Sequence, residues 1–199
     1  MSAAPNNSEG RGLSAPFLLI VPGLNGSGPA HWQTRWESLY PRAMRVAQRD
    51  WDHPECAEWR STLEGAIAAA PEPVVLVAHS LGCALVAHLA SHPVAARISA
   101  ALLVAPADVD SPACTPAETR SFAPMPTAPL PFAATVVASE DDPYVSLARA
   151  RHFAASWKAT FVDAGRKGHL NADSGLGDWP EGRRHLEALL AGARLPGLR

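Results

Sequence analysis

Ser80 stands in Ala78-His79-Ser80-Leu81-Gly82, a form of G-x-S-x-G in which alanine replaces the first glycine. An unbroken apolar run, Val74 to Ala78, precedes it, and an Ala/Leu-rich run from Cys83 to Leu89 follows. Together they read as strand, sharp turn, helix. Such a turn lifts a hydroxyl above the strand end, with free helix N–H groups behind it for a developing negative charge. A serine hydroxyl is a weak nucleophile until a base takes its proton. The base is expected to be a histidine held by a carboxylate. Asp141 and Asp142 follow the end of one later apolar run, and His169 follows the end of the next. Serine, aspartate, histidine, each past a strand end, is an arrangement for acyl transfer through a catalytic triad. The bland alternative is a strand–turn–helix with an incidental capping serine. Two further matches at strand ends weigh against it.

That chemistry also needs two backbone N–H donors for an oxyanion. Leu81, directly after the serine, supplies one. The other is expected from the glycine-rich loop Pro22-Gly-Leu-Asn-Gly-Ser-Gly-Pro29, where Leu24 and Asn25 are both placed for it. The loop lacks the terminal Lys-Ser/Thr of a phosphate loop. His79 adjoins the nucleophile, and on a turning backbone its ring does not readily face the hydroxyl. His31 opens a helix beside the glycine loop, where it either lines a substrate pocket or serves as a capping or solvated residue. The remaining histidines read as surface or boundary residues. No pair has H-E-x-x-H spacing, so neither metal nor cofactor is expected.

The elements that must carry these residues alternate along the chain. Strands are expected at Phe17–Val21, Met44–Gln48, Val74–Ala78, Ile98–Val104, Ala134–Ala138 and Ala159–Val162. Helices are expected over about 31–39, 55–70, from the serine turn to His92-Pro93, 146–157 and 181–192. Trp32 and Trp36, and Trp59, Leu63 and Ile67, recur at helical spacing. The alternation predicts an α/β fold, a parallel sheet of about six strands with helices on both faces. Ligands in such sheets bind beyond the carboxyl ends of the strands. Residues 105–131 hold seven prolines, and a loop this long in a compact domain is usually functional or disordered. We expect it to cover an acyl pocket lined by Phe122, Met125, Leu130 or Phe132, the alternative being a surface excursion without substrate contact.

Composition narrows the class. The chain has 199 residues, 47% hydrophobic and 18% charged, with a formal net charge of -2. It suits one domain over residues 16–199 behind a flexible tail, residues 1–15. The charge gives no case for nucleic acid or an anionic membrane. No apolar run reaches the roughly 18 residues of a membrane span. The N-terminus lacks the apolar core of a signal peptide. Three scattered cysteines form neither a disulfide framework nor a zinc pattern. A cytoplasmic location is the default expectation.

Several stretches together resemble the YdeN-type serine hydrolases, the small α/β-hydrolase family that includes retinoblastoma-binding protein nine. They are VPGLNGSGPAHWQ, the DWxxP at Asp50 to Pro54 with Trp59 after it, LVAHSLGC, ASEDDPYV and GRKGHLNADSGLGDWPEG. The resemblance implies a compact α/β-hydrolase fold without the N-terminal antiparallel strands of larger members. It implies a triad of Ser80, Asp142 and His169, and poorly defined natural substrates. Asp142 also begins Asp-x-x-Val, in which Val145 is expected to return to the core and aim the carboxylate. The expected activity is hydrolysis of an ester or amide of a small acyl group through an acyl-enzyme. Thioester hydrolysis or acyl transfer would use the same residues. A binding module with an idle triad is the alternative from another class. The expected partner is a small acyl substrate, and a protein partner is left open.

Overall fold

The three central strands of the sheet have almost nothing but apolar residues, and this decides where they lie. The computed structural model describes residues 16–193, so the expected tail at residues 1–15 lies outside the described residues. Six strands form one parallel sheet: β1 (Phe17–Val21), β2 (Ala43–Arg45), β3 (Val74–His79), β4 (Ile98–Val104), β5 (Ala133–Ala138) and β6 (Thr160–Asp163), in the order β2-β1-β3-β4-β5-β6. All six residues of β3 are buried, as suits a strand covered on both faces. The edge strands β2 and β6 are only partly buried.

Successive residues of a strand point to opposite faces, and the core divides accordingly. Leu19, Val21, Leu76, Ala78, Leu103 and Val136 face one core. Helices α2 (Cys56–Ala69), α3 (Leu81–Ala87) and α4 (Leu147–Trp157) close that side, with Trp59, Leu63, Ile67, Phe153 and Trp157 packed inward. Leu18, Ile20, Val75, Val77, Leu102 and Val137 face the other core. There α1 (Trp32–Leu39) and α5 (Pro180–Gly192) contribute Trp32, Trp36, Leu186 and Leu189.

Two boundaries differ from the sequence reading by more than one residue. The second strand is shorter than Met44–Gln48, because it has a single neighbour, and its last bond to β1 runs from the Val46 N–H to the Ile20 carbonyl. The helix after Ser80 ends at Ala87 rather than running to His92-Pro93. Leu89, Ala90 and His92 each donate to the carbonyl three residues back, so the α-helical ladder tightens into turns.

Glycines let the β1 loop press against the start of α3. A Cβ on Gly82 would lie 2.3 Å from the Val21 carbonyl oxygen, and one on Gly23 would lie 2.9 Å from the Ser80 Cβ. Both contacts fall on backbone or on the nucleophile turn itself, so neither neighbour has room to move aside. Gln33, fully buried in α1, then ties the strand ends together. Its Nε2 donates to the carbonyls of Val21 (3.3 Å) and Val77 (2.9 Å), and its Oε1 accepts from the Ser27 hydroxyl at 2.5 Å.

Candidate active site

Ser80 sits between β3 and α3 with φ 55° and ψ -121°, a conformation that L-residues rarely adopt. The surroundings enforce it. The Ser80 N–H donates to the Val104 carbonyl at 2.9 Å, and the Ser80 carbonyl accepts from Cys83 at 2.9 Å. The turn leaves Oγ free to donate to Nε2 of His169 at 2.9 Å. Nδ1–H of His169 donates to both oxygens of Asp142, at 2.9 and 2.8 Å. A carboxylate only accepts, so in the neutral ring the proton is on Nδ1 and Nε2 is the bare acceptor facing the hydroxyl. The Asp142 side chain is fully buried and also accepts from the Tyr144 N–H at 2.8 Å. Val145, two residues past the proline, is buried in the core.

Asp141 points elsewhere. Its Oδ1 accepts from the Ser139 hydroxyl at 2.9 Å and from the Gly168 N–H at 2.8 Å, with Arg166 at 3.7 Å. The Gly168 N–H, then the Ser139 hydroxyl, hold its carboxyl below the usual aspartate range. Asp141 thus fastens the loop that carries His169, without touching the ring.

Two contacts hold His169 that the sequence did not announce. Nε2–H of His79 donates to the His169 carbonyl at 2.9 Å, and the two rings lie 4.7 Å apart. Burial keeps the His79 ring well below the usual histidine range, with the charges of His169 and His31 adding to it, so it is a neutral donor. Trp32 Nε1–H donates to the carbonyl of Leu170, the next residue. The signal for both was adjacency: His79 beside the serine, and Trp32 in the His-Trp-Gln triplet after the glycine loop. Nothing local says which distant carbonyl they reach.

The two oxyanion candidates in the β1 loop separate. The Asn25 N–H donates to the Trp51 carbonyl at 2.9 Å and is spent. Among the described residues no partner engages the Leu24 N–H, and Leu81 N–H is one of the unpaired donors at the start of α3. A Cβ on Gly23 would lie 3.0 Å from the Leu81 nitrogen, so the two segments are in contact there.

Ser80 and His169 open on a cleft of about 390 Å³ whose walls include Leu24, Asn25, His31, Thr115, Tyr144 and Asn171. The proline-rich segment does form one wall, but through Ala107, Thr115, Pro116 and Thr119. Phe122 and Met125 are not in the cleft: they are 0% and 4% exposed and belong to the α2–α4 core, as does Leu130, with Phe132 packed against it. The ring of Phe122 meets Trp59 edge-on at 5.6 Å, while the His88 Nε2–H fixes its carbonyl at 2.8 Å. The large apolar residues of the segment are its anchors to the body of the protein, and its small residues are what the cleft sees. Phe122→Ala is therefore expected to cost about 3–5 kcal/mol of stability through the cavity it leaves. The preference among acetyl, butyryl and hexanoyl esters should stay as it was; denaturant unfolding and the three kcat/KM values check both halves.

All three cysteines are free, and among the described residues no cluster of His, Cys, Asp and Glu is placed to hold a metal ion. Nor is any described helix long and apolar enough to cross a membrane.

Comparison with known proteins follows the same lines. A family model described as serine hydrolase matches residues 18–188. The chain is 31% identical to a YdeN-like hydrolase of Pectobacterium atrosepticum, over 86% of this chain and 91% of that one, with a TM-score of 0.75. It is 19% identical to the YdeN product of Bacillus subtilis, over 87% and 98% of the two chains, with a TM-score of 0.71. A butyrate-bound esterase of Thermogutta terrifontis shares the fold at 18% identity, over 87% and 82%, with a TM-score of 0.64. Among curated proteins, none matches the chain.

Proposed function

The chain belongs to the serine hydrolase family, with a YdeN-like hydrolase among its relatives, and we propose that it cleaves esters or amides of small acyl groups through a Ser80–His169–Asp142 triad. The observation that carries this reading is the unbroken relay from the Ser80 hydroxyl through His169 to a buried Asp142, each hydrogen bond at 2.8–2.9 Å. A binding module would have no need to keep a strained serine aimed at a histidine in the one tautomer that accepts its proton.

In the proposed reaction Ser80 Oγ attacks the scissile carbonyl carbon while its proton passes to His169 Nε2. Asp142 steadies the imidazolium. The carbonyl π electrons move onto oxygen, where the N–H groups of Leu24 and Leu81 receive the charge. Collapse expels the alcohol or amine, which takes the proton from His169, and leaves an acyl-Ser80 ester. Water then attacks that ester, with His169 again as base, and releases the acid. The cleft volume, about 390 Å³, suits a short acyl chain and a small leaving group.

A fluorophosphonate probe tests the reading. It should modify Ser80 alone, found by mass spectrometry of the digested protein, because activation needs the base and the oxyanion donors at one hydroxyl. Adducts spread over other serines, or labelling that survives removal of the Ser80 hydroxyl, would overturn it.

A further inference from the structure

One polar atom beside the triad has no partner. Nδ1 of His31 accepts the Gln33 N–H at 3.1 Å and so caps the start of α1. A nitrogen that accepts carries no proton, so in the neutral ring the proton is on Nε2. That Nε2 is buried and unpaired among the described residues, although His31 is 5% exposed and lines the cleft. Other buried orphans, such as Gln48 Oε1 and Trp179 Nε1, belong to residues away from the cleft.

Other polar walls of the cleft are either committed within the protein or, like Asn25 and Tyr144, exposed where water can pair with them. Thr115 donates to the carbonyls of Asp108 and Ser111 and accepts from Arg120, and Thr119 donates to the Pro116 carbonyl. The Asn171 side chain caps the short turn after it. His31 is also close to the reacting groups: its ring lies 4.7 Å from that of His79, which lies 4.7 Å from that of His169. Burial, with the charges of Arg45 and His169 adding to it, lowers its pKa to about 4, so the ring stays a neutral donor through the neutral range.

Resting on the serine-hydrolase reading, we propose that His31 Nε2–H donates a hydrogen bond to an oxygen that the substrate carries close to its scissile carbonyl. The substrate class is then a short ester bearing a hydroxyl or oxo oxygen, in preference to a purely alkyl one. A site built to pair a buried donor rejects an isostere that leaves it unpaired far more strongly than an apolar pocket rejects a methyl group. The oxygen has two possible positions, in the acyl chain or in the alcohol, and matched pairs separate them. Methyl 3-hydroxybutyrate against methyl 3-methylbutyrate places it in the acyl chain. 2-Hydroxyethyl acetate against propyl acetate places it in the alcohol.

The test is kcat/KM for both pairs with the wild-type protein and with His31→Asn. Asparagine keeps an oxygen for the α1 cap but lacks the reach of the imidazole, and thermal unfolding verifies that the fold survives. The wild type should favour the oxygenated member of one pair by about tenfold or more. In His31→Asn that preference should fall by about tenfold. Comparing the same pair in both proteins cancels the intrinsic reactivity of the esters. Two results overturn the proposal alone: no preference in the wild type, or a preference that His31→Asn leaves unchanged. An unchanged preference means equal losses for both members of the pair, which mark a packing and capping role. If no ester turns over and Ser80 takes no fluorophosphonate, the serine-hydrolase reading falls, and the proposal with it.

Discussion

Ser80→Ala is expected to lower kcat for a short acyl ester by on the order of 10⁶, the loss seen when the nucleophile of a triad is removed. The substitution deletes one oxygen and its 2.9 Å hydrogen bond to His169. The residual rate would come from the oxyanion donors and binding alone. The fold should be untouched, because the φ of 55° is imposed by backbone bonds to Val104 and Cys83 and persists with any side chain. Ser80→Gly should be equally inactive yet more stable, by about 1 kcal/mol or more, since glycine adopts positive φ without the cost borne by a residue with a Cβ. Steady-state rates with denaturant unfolding of the three proteins check both claims. Turnover in Ser80→Ala within tenfold of wild type would remove Ser80 from the mechanism. A less stable Ser80→Gly would mean that the turn stores no strain.

Asp142→Asn carries the second large effect, a fall in kcat of about 10⁴ with the fold retained. The carboxylate takes the Nδ1–H of His169 on both oxygens, which leaves Nε2 open to the serine proton. An amide presents an NH₂ toward Nδ1 and favours the opposite tautomer, whose Nε2–H has no room for that proton. Asp141→Asn should cost far less, within about tenfold, because asparagine keeps an acceptor for the Ser139 hydroxyl and the Gly168 N–H. What it loses is charge at an exposed site, where electrostatic contributions are small. Measuring kcat for both variants over roughly pH 6 to 9, where a triad histidine titrates, with circular dichroism as the fold control, separates the two. A severe loss in Asp141→Asn beside near-normal turnover in Asp142→Asn would reverse the assignment.

Much of this protein is legible in its residues and their order. Apolar runs such as Val74 to Ala78 are strands buried on both faces, and their alternation with helices of 3.6-residue periodicity leaves a parallel α/β sheet as the reasonable arrangement. Because the ends of parallel strands lie on one side, residues far apart in sequence but each just past a strand end must gather there, as Ser80, Asp142 and His169 do. The Asp-x-x-Val pattern likewise pointed to the aspartate that reaches His169, since a buried Val145 fixes the turn. The resemblance to YdeN-type serine hydrolases, read from motifs spread along the chain, agrees with the family match.

What the sequence left open was company. Hydrophobicity says that Phe122 and Met125 are buried, but core and pocket wall look the same to a one-dimensional pattern, and only packing against Trp59 put Phe122 in the core. Leu24 and Asn25 were equivalent until the Trp51 carbonyl took the Asn25 N–H from across a separate loop. His31 was either a capping residue or a pocket residue, and it is both: its Nδ1 caps α1 while the residue lines the cleft. His79 reads as a mere neighbour of the serine until the chain folds back and brings the His169 carbonyl to its Nε2. Local pattern determines the strands, the helices and the end of the sheet at which the chemistry gathers. Hydrogen bonds between loops distant in sequence depend on how the whole chain packs, and they decide which of several suitable atoms is left free to act.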